Sequence, residues 1–170
     1  SSLSGNVRCW GRNEYGQLGA DYPWVHNAPI QIPGLSGVIK VAVGETRACA
    51  LLGSGTVRCW GGRRAAPVVK TVSGVAHATA LVSGDSHACA LVPNGVVVSG
   101  ISHATALAAG ENHTCAIVGG GVKCWGLDGM SQLGDAPAAN AAPKVPVPVI
   151  RTAVAVRGLA TVVAIAAGQG

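Results

Sequence analysis

Four stretches of this chain run from glycine to glycine over the same spacing: GLSGVIKVAVG (34–44), GVAHATALVSG (74–84), GISHATALAAG (100–110) and GLATVVAIAAG (158–168). A short glycine-bounded apolar run that recurs in register is the mark of a small unit stacked on copies of itself, not of one irregular core. Three of the runs lead straight into a second pattern, ETRACALL (45–52), DSHACALV (85–92) and ENHTCAIV (111–118). A third pattern follows after a turn: VRCWG (57–61), the degenerate VVVSG (96–100) and VKCWG (122–126), with a further VRCWG at 7–11. Each piece is rich in β-branched or small apolar residues and is bounded by Gly, Asn or Asp, which reads as a strand. These are strands A, B and C. A weaker strand D follows as PIQI (29–32), PVVKTV (67–72) and VPVPVI (145–150), and its prolines place it at a sheet edge.

Composition agrees. Hydrophobic residues make up 49% of the 170, aromatics only 4%, and there is no Phe. A core of Ala and Val suits thin, closely packed sheets. With 25 Gly and 9 Pro the chain is interrupted too often for long helices. The predicted fold class is all-β: β-propeller blades of short antiparallel strands, about three to four of them. The strand C valines, 7, 57, 96 and 122, are unevenly spaced, giving approximate units 7–56, 57–95, 96–121 and 122–170 within a single repeat domain spanning 1–170. The third unit has no room for strand D. NEYGQLG (13–19) recurs as DGMSQLG (128–134), and its glycines with Asn13 and Asp128 suit a tight turn after strand C.

Counting across each B–C hairpin fixes its register. The loop Gly53-Ser54-Gly55 sets Leu51 opposite Val57 and Cys49 opposite Cys59; the loop Gly119-Gly120 sets Val118 opposite Gly121 and Cys115 opposite Cys124. Facing cysteines on adjacent strands lie within reach of a disulfide. Two disulfides predict an oxidising compartment, and reduced, packed cysteines are the competing reading. Paired metal-ligand spacings and a Cys-x-x-Cys redox motif are both absent, so no metal site and no cofactor is expected. Cys9 and Cys89 are left over. Cys89 falls opposite Ser99 or Gly100, and the partner of Cys9 would precede Ser1 by the repeat spacing. Both ends therefore read as cuts through a blade, in a segment of a longer repeat protein or in a shortened one whose open edges favour self-association.

Linked together, HTCAI…GGGVKCWG, NEYGQLG, GLSGVIKVAVG and the recurring G-x-x-H-x-C-A spacing resemble the regulator of chromosome condensation repeat, in a cysteine-bearing form similar to bacterial members. The resemblance covers residues 5 to 170. It departs from the family pattern in the short third unit, in VVVSG, and in Arg47, which stands at the usual His position. The resemblance implies a ring of about seven blades in complete members. It also implies protein binding on a propeller face, with members acting as an exchange factor for a nuclear GTPase, as chromatin-docking modules, as a plant photoreceptor and as an inhibitor of β-lactamases. No functional residue transfers from the exchange factor. Trp10, Trp60 and Trp125 share one repeat position and read as structural, not as a photoreceptor's cluster.

Candidate sites are few. His77 with His103, and His87 with His113, fall into two repeat classes, which favours hydrogen-bonded imidazoles beside the A–B turn over ligands. Glu45, Asp85 and Glu111 share one position and form a partial acidic rim, with Arg47, His87 and His113 two residues on. No nucleophile–base–orienter set stands apart from the repeat, so the chain is expected not to be an enzyme. The net charge is +5, but Arg63-Arg64 is an isolated basic pair without interleaved aromatics, which argues against nucleic acid. The longest uncharged run, 88–110, is broken by Pro93, Asn94-Gly95 and Gly100 and predicts no membrane span. The opening SSLSGNVRCW lacks the basic and apolar regions of a secretory signal.

The most distinctive unrepeated stretch, ADYPWVHNAP (20–29), inserts Tyr22, Trp24 and His26 after the YGQLG turn. With Arg12 these form the candidate partner-binding residues, since loops on rigid scaffolds carry function and aromatics are enriched in binding hot spots. The competing role for Trp24 is to fold back over a sheet edge. The expected function is a non-catalytic protein-interaction scaffold, extracellular or at the cell surface, with an unidentified protein partner. The alternatives are an exchange or regulatory factor for a small GTPase, in a cytoplasmic setting with reduced cysteines, and an inhibitor of an extracellular enzyme.

Overall fold

The structure, a computed structural model, describes residues 5–20, 24–62, 68–93, 101, 103–135 and 149–168. Every regular element among them is a strand. The chain divides into two compact units, Ser1–Val92 and Pro93–Gly170.

The first unit holds three antiparallel sheets. A two-stranded sheet pairs β1 (Arg8–Arg12) with β2 (Val25–Gln31); a four-stranded sheet runs in the order β3 (Val38–Val43), β4 (Arg47–Leu52), β5 (Val57–Gly61) and β6 (Lys70–Thr71); a second two-stranded sheet pairs β7 (Ala80–Ser83) with β8 (Ala88–Leu91). The second unit is one four-stranded sheet of β9 (Ala104–Ala109), β10 (His113–Val118), β11 (Gly121–Leu127) and β12 (Val149–Ala155). The two four-stranded sheets are each an A–B–C–D meander. β1 and β2 are a C–D pair, and β7 and β8 an A–B pair.

Side chains alternate across the pleat, and the inward faces make small separate cores. Val7, Ile32, Leu35, Ala48, Ala50 and Trp60 form one; Cys49, Leu51, Val57, Ala78 and Leu81 form another; Cys115, Val122, Cys124 and Leu133 form a third in the second unit. Most of these residues are small, so close backbone approach does the packing that large side chains would do elsewhere.

The closest approaches recur in register. The carbonyl two residues before the strand C valine accepts a hydrogen bond from the amide four residues after the strand A glycine: Val38 N–H to Gly5 O at 3.4 Å, Ala78 N–H to Gly55 O at 2.9 Å, and Val162 N–H to Gly120 O at 2.8 Å. Each blade is thus pinned to the start of the next strand A. At the other end of strand A, glycine is required for space. A Cβ on Gly44 would overlap the Gly84 carbonyl oxygen, and one on Gly110 would lie 2.5 Å from the Gly168 carbonyl oxygen.

The hairpin register matches the count from loop lengths: Leu51 pairs with Val57, Cys49 with Cys59, Val118 with Gly121 and Cys115 with Cys124. The cysteine Cα atoms are 4.0 and 4.1 Å apart and the sulfurs are at bonding distance, 2.10 and 2.05 Å. Cys9 and Cys89 stand outside these pairs. VVVSG (96–100), whose Ser99 or Gly100 was expected opposite Cys89, and Arg63-Arg64 lie outside the described residues.

Three expectations need revision. β2 begins at Val25, so half of the predicted inserted loop is strand, held by pairing of Val25 with Arg12 and His26 with Gly11. β12 runs to Ala155, beyond Ile150, because Lys123 and Cys124 pair with Ala155 and Val154; the predicted residues 145–148 lie outside the described residues. His77 and His103 are not beside the A–B turn. They sit in the turn before strand A at φ of 55° and 54°, where Gly37 (65°) and Thr161 (56°) occupy the equivalent positions. His is among the side chains that tolerate this left-handed region best, which explains its recurrence there without a ligand.

Two outcomes follow. Gly44→Ala loses about 2 kcal/mol or more of stability through overpacking, whereas Gly53→Ala, whose nearest neighbour would be 3.7 Å away, stays within about 0.5 kcal/mol; denaturation midpoints compare them, and equal midpoints refute the packing account. Titration of the denatured, non-reduced chain yields two thiols of its 6 cysteines, and reduction costs about 2.5 kcal/mol per short loop opened. Six titrating thiols overturn the pairing.

Candidate functional site

Three of the residues singled out by sequence, Arg12, Trp24 and His26, lie at the turn end of the β1–β2 hairpin. It is built on the turn at 13–20. The Asn13 side-chain oxygen accepts the Leu18 amide at 2.9 Å, and its amide nitrogen donates to the Ala20 carbonyl at 2.9 Å. The Gln17 side-chain oxygen accepts the Tyr15 amide at 2.9 Å. The copy at 128–134 repeats both devices, with Leu133 N–H on the Asp128 carboxylate at 3.2 Å and Met130 N–H on the Gln132 side chain at 2.8 Å. Asn13 and Asp128 are both buried, so these short polar side chains replace the solvent the turn would otherwise need.

From this rigid turn the Asn13 amide donates to the Trp24 carbonyl at 2.6 Å. Trp24 is 56% exposed and Val25 50%. Arg12 is exposed and donates to the Glu14 carboxylate at 2.8 Å; this hydrogen bond raises its pKa further and keeps the guanidinium charged. His26 pairs with Gly11 on β1, and its Nε2 is buried with no hydrogen-bond partner among the described residues. Arg12, Trp24 and His26 are therefore brought to one hairpin end. Tyr22 lies outside the described residues.

A second feature escaped the sequence reading. An open groove of about 550 Å³ runs beside β1, lined by apolar residues such as Cys9, Trp10, Val41 and Val43 and by the charged Arg12 and Glu14. Burial pushes the Cys9 thiol pKa up, so it is protonated at neutral pH. The signal for the groove was present as a missing repeat: β1 is a strand C with no strand B beside it among the described residues.

The repeated acids and bases behave as turn residues. Gly44, Gly84 and Gly110 donate their amides to the carbonyls of Arg47, His87 and His113 at 2.8, 2.9 and 2.9 Å, closing three equivalent A–B turns. Glu45, Asp85 and Glu111 occupy the first loop position of these turns. Among the described residues no group of three or more His, Cys, Asp or Glu is placed to hold a metal ion, and no helix is long and apolar enough to cross a membrane.

Fold and repeat chemistry define the class first: an all-β protein built from propeller-type blades. Residues 4–51 then match the profile of the regulator of chromosome condensation repeat. The solved structures it resembles are propellers. Human WBSCR16 is 16% identical with a TM-score of 0.75, over 98% of this chain and 52% of that one. Yeast RCC1 (Prp20), in its structure bound to Kap60, is 17% identical with a TM-score of 0.74, over 97% and 48%. Prp20p from Saccharomyces cerevisiae, described with its binding properties to Gsp1p and histones, is 17% identical with a TM-score of 0.70, over 97% and 50%. The chain thus spans about half the length of these structures. No curated protein matches it by sequence.

Two copies of VRCWG place tryptophan in opposite surroundings. Trp60 is 2% exposed and donates its Nε1–H to the Gln17 carbonyl at 2.8 Å, while Trp10 is 64% exposed. Trp60→Ala is expected to cost about 3–5 kcal/mol and Trp10→Ala under about 0.5 kcal/mol. Equal losses on denaturant titration would show that the motif, not its neighbours, sets the role.

Proposed function

We propose that this chain is a non-catalytic protein-interaction scaffold that binds a partner protein through the outer end of the β1–β2 hairpin. The observation that carries the reading is the exposure of Trp24 and Arg12 on a hairpin whose backbone is fixed by the Asn13 hydrogen bonds. Aromatic and arginine side chains dominate binding hot spots because they cover large areas with few freedoms to lose. A preorganised backbone lowers the ordering cost further. The cysteine pairs at disulfide distance support an oxidising, extracellular or cell-surface setting.

A second reading is regulation of a small GTPase, favoured by likeness to a propeller described with binding properties to Gsp1p. That likeness is one of fold, and fold does not carry function by itself.

Capture from the protein's native surroundings, comparing wild type with Trp24→Ala and Arg12→Ala, tests the first reading. The variants should keep their denaturation midpoints and lose a specific partner about tenfold or more, a loss of hot-spot size. Met130→Ala, changing a side chain 82% exposed on the copy of the same turn, should lose nothing. Unchanged capture by both hairpin variants overturns the assignment. Accelerated nucleotide release from a small GTPase would establish the second reading instead.

A further inference from the structure

We propose that Cys49–Cys59 is a redox-responsive disulfide: an anionic thiol of the glutathione type opens it by attack at Cys59, assisted by Lys70, and loosens the Trp60 anchor of the 13–20 turn, while Cys115–Cys124 stays closed.

The two pairs are one device in two surroundings. Each joins strand B to strand C at the equivalent position of its hairpin. In the second unit both cysteines are buried, Cys115 at 7% and Cys124 at 2% exposure, and they pack with Val122, Leu133, Val154 and Val156. In the first unit Cys49 is buried, but Cys59 is only partly buried at the margin of its core. Thiol–disulfide exchange requires a thiolate to reach a sulfur, so access decides which pair and which sulfur react.

An independent observation comes from strand D. The strand C cysteine faces Ile30 at Cys9, Val154 at Cys124 and Lys70 at Cys59. An apolar side chain at this position covers the cysteine; Lys70 breaks the pattern. Residues directly opposed on antiparallel strands share a face, with Cβ atoms about 5 Å apart. Lys70 is exposed and enters no ion pair among the described residues, so its charge is available to the sulfurs.

Exchange carries negative charge from the attacking thiolate to the leaving sulfur, and a nearby ammonium stabilises that charge. Glutathione is itself anionic, so the same ammonium also draws it in. A glutathione thiolate attacks the Cys59 Sγ, the bond to Cys49 breaks, and Cys49 leaves as a thiolate that takes a proton from water. A second glutathione thiolate attacks the glutathione sulfur of the mixed disulfide, which releases the Cys59 thiolate and one oxidised glutathione. Two glutathione thiols thus supply the two electrons that the disulfide gains. The next pair along the hairpin is Ala48 with Trp60, whose Nε1–H holds the Gln17 carbonyl at 2.8 Å. Opening the staple therefore frees the strand that anchors the turn.

The intact chain, with its free thiols first blocked, is incubated with reduced glutathione, sampled by alkylation and mapped. Cys49 and Cys59 should open about tenfold faster than Cys115 and Cys124, with the glutathione adduct on Cys59. Lys70→Val should slow the opening about fivefold, and Lys70→Arg should keep the rate. Hydrogen exchange at the Leu18 and Gly19 amides should speed up once the pair opens. Equal rates for the two pairs, an adduct on Cys49, an unchanged rate in Lys70→Val or unchanged amide exchange each overturns the proposal. The proposal rests on the disulfide pairing, and thiol titration before treatment separates the two: six thiols strike the pairing itself, whereas two thiols followed by any of these outcomes strike only the switch.

Discussion

One backbone hydrogen bond organises the described structure: the carbonyl two residues before the strand C valine, met by the amide at the start of the following strand A. A carbonyl can reach a neighbouring main chain only where side chains stand aside. At Gly55 a Cβ would lie 2.5 Å from the His77 Cα. The residues that approach must then be glycine, or must put the turn before strand A into the left-handed region, as His77 and Thr161 do. Glycine spacing, strand length and the small-residue core all follow from keeping the blades this close. A propeller that packs by backbone proximity has little use for Phe.

The same dependence on neighbours explains why identical sequence gives unlike surroundings. Trp60 is buried because the 13–20 turn of the preceding blade offers it a carbonyl and because Ala48 lies across the hairpin from it. Trp10 has the same motif with neither among the described residues and is exposed. Leu81, 1% exposed, and Val41, 39% exposed, repeat the contrast on strand A. Function in such an array belongs to position as well as to residue type, because each blade's exposed chemistry is what the next blade leaves uncovered.

Much of this was legible in the sequence. Register came from loop length, since a two- or three-residue hairpin loop fixes which residues face one another; Cys49, Cys59, Cys115 and Cys124 were located that way. The Asn13 and Asp128 turns were legible as paired motifs. The histidine turn was misread because His77 and His103 were grouped with His87 and His113 beside the A–B turn, yet Gly37 at the aligned position already pointed to positive φ. The start of β2 was hidden because Val25–Ala28 carries no alternation that a strand signature could use: its faces are both largely exposed, and only pairing with Arg12 and Gly11 orders it. The groove left its trace only as a missing repeat. It is a property of what flanks β1, and no local pattern encodes a neighbour.

Repetition also bears on where function can reside. A residue that recurs in register has a structural duty in every copy: Glu45, Asp85 and Glu111 open equivalent turns, and the carbonyls of Arg47, His87 and His113 close them. Recruiting one of them to chemistry would disturb a turn the blade needs. The residues without a counterpart carry no such duty. Arg12 and Trp24 stand on a hairpin held by main-chain and Asn13 hydrogen bonds, so these exposed side chains can change with little effect on the fold beneath them. That separation of scaffold from display is the physical basis for placing recognition on the unrepeated hairpin end and not on the histidines, however often they recur.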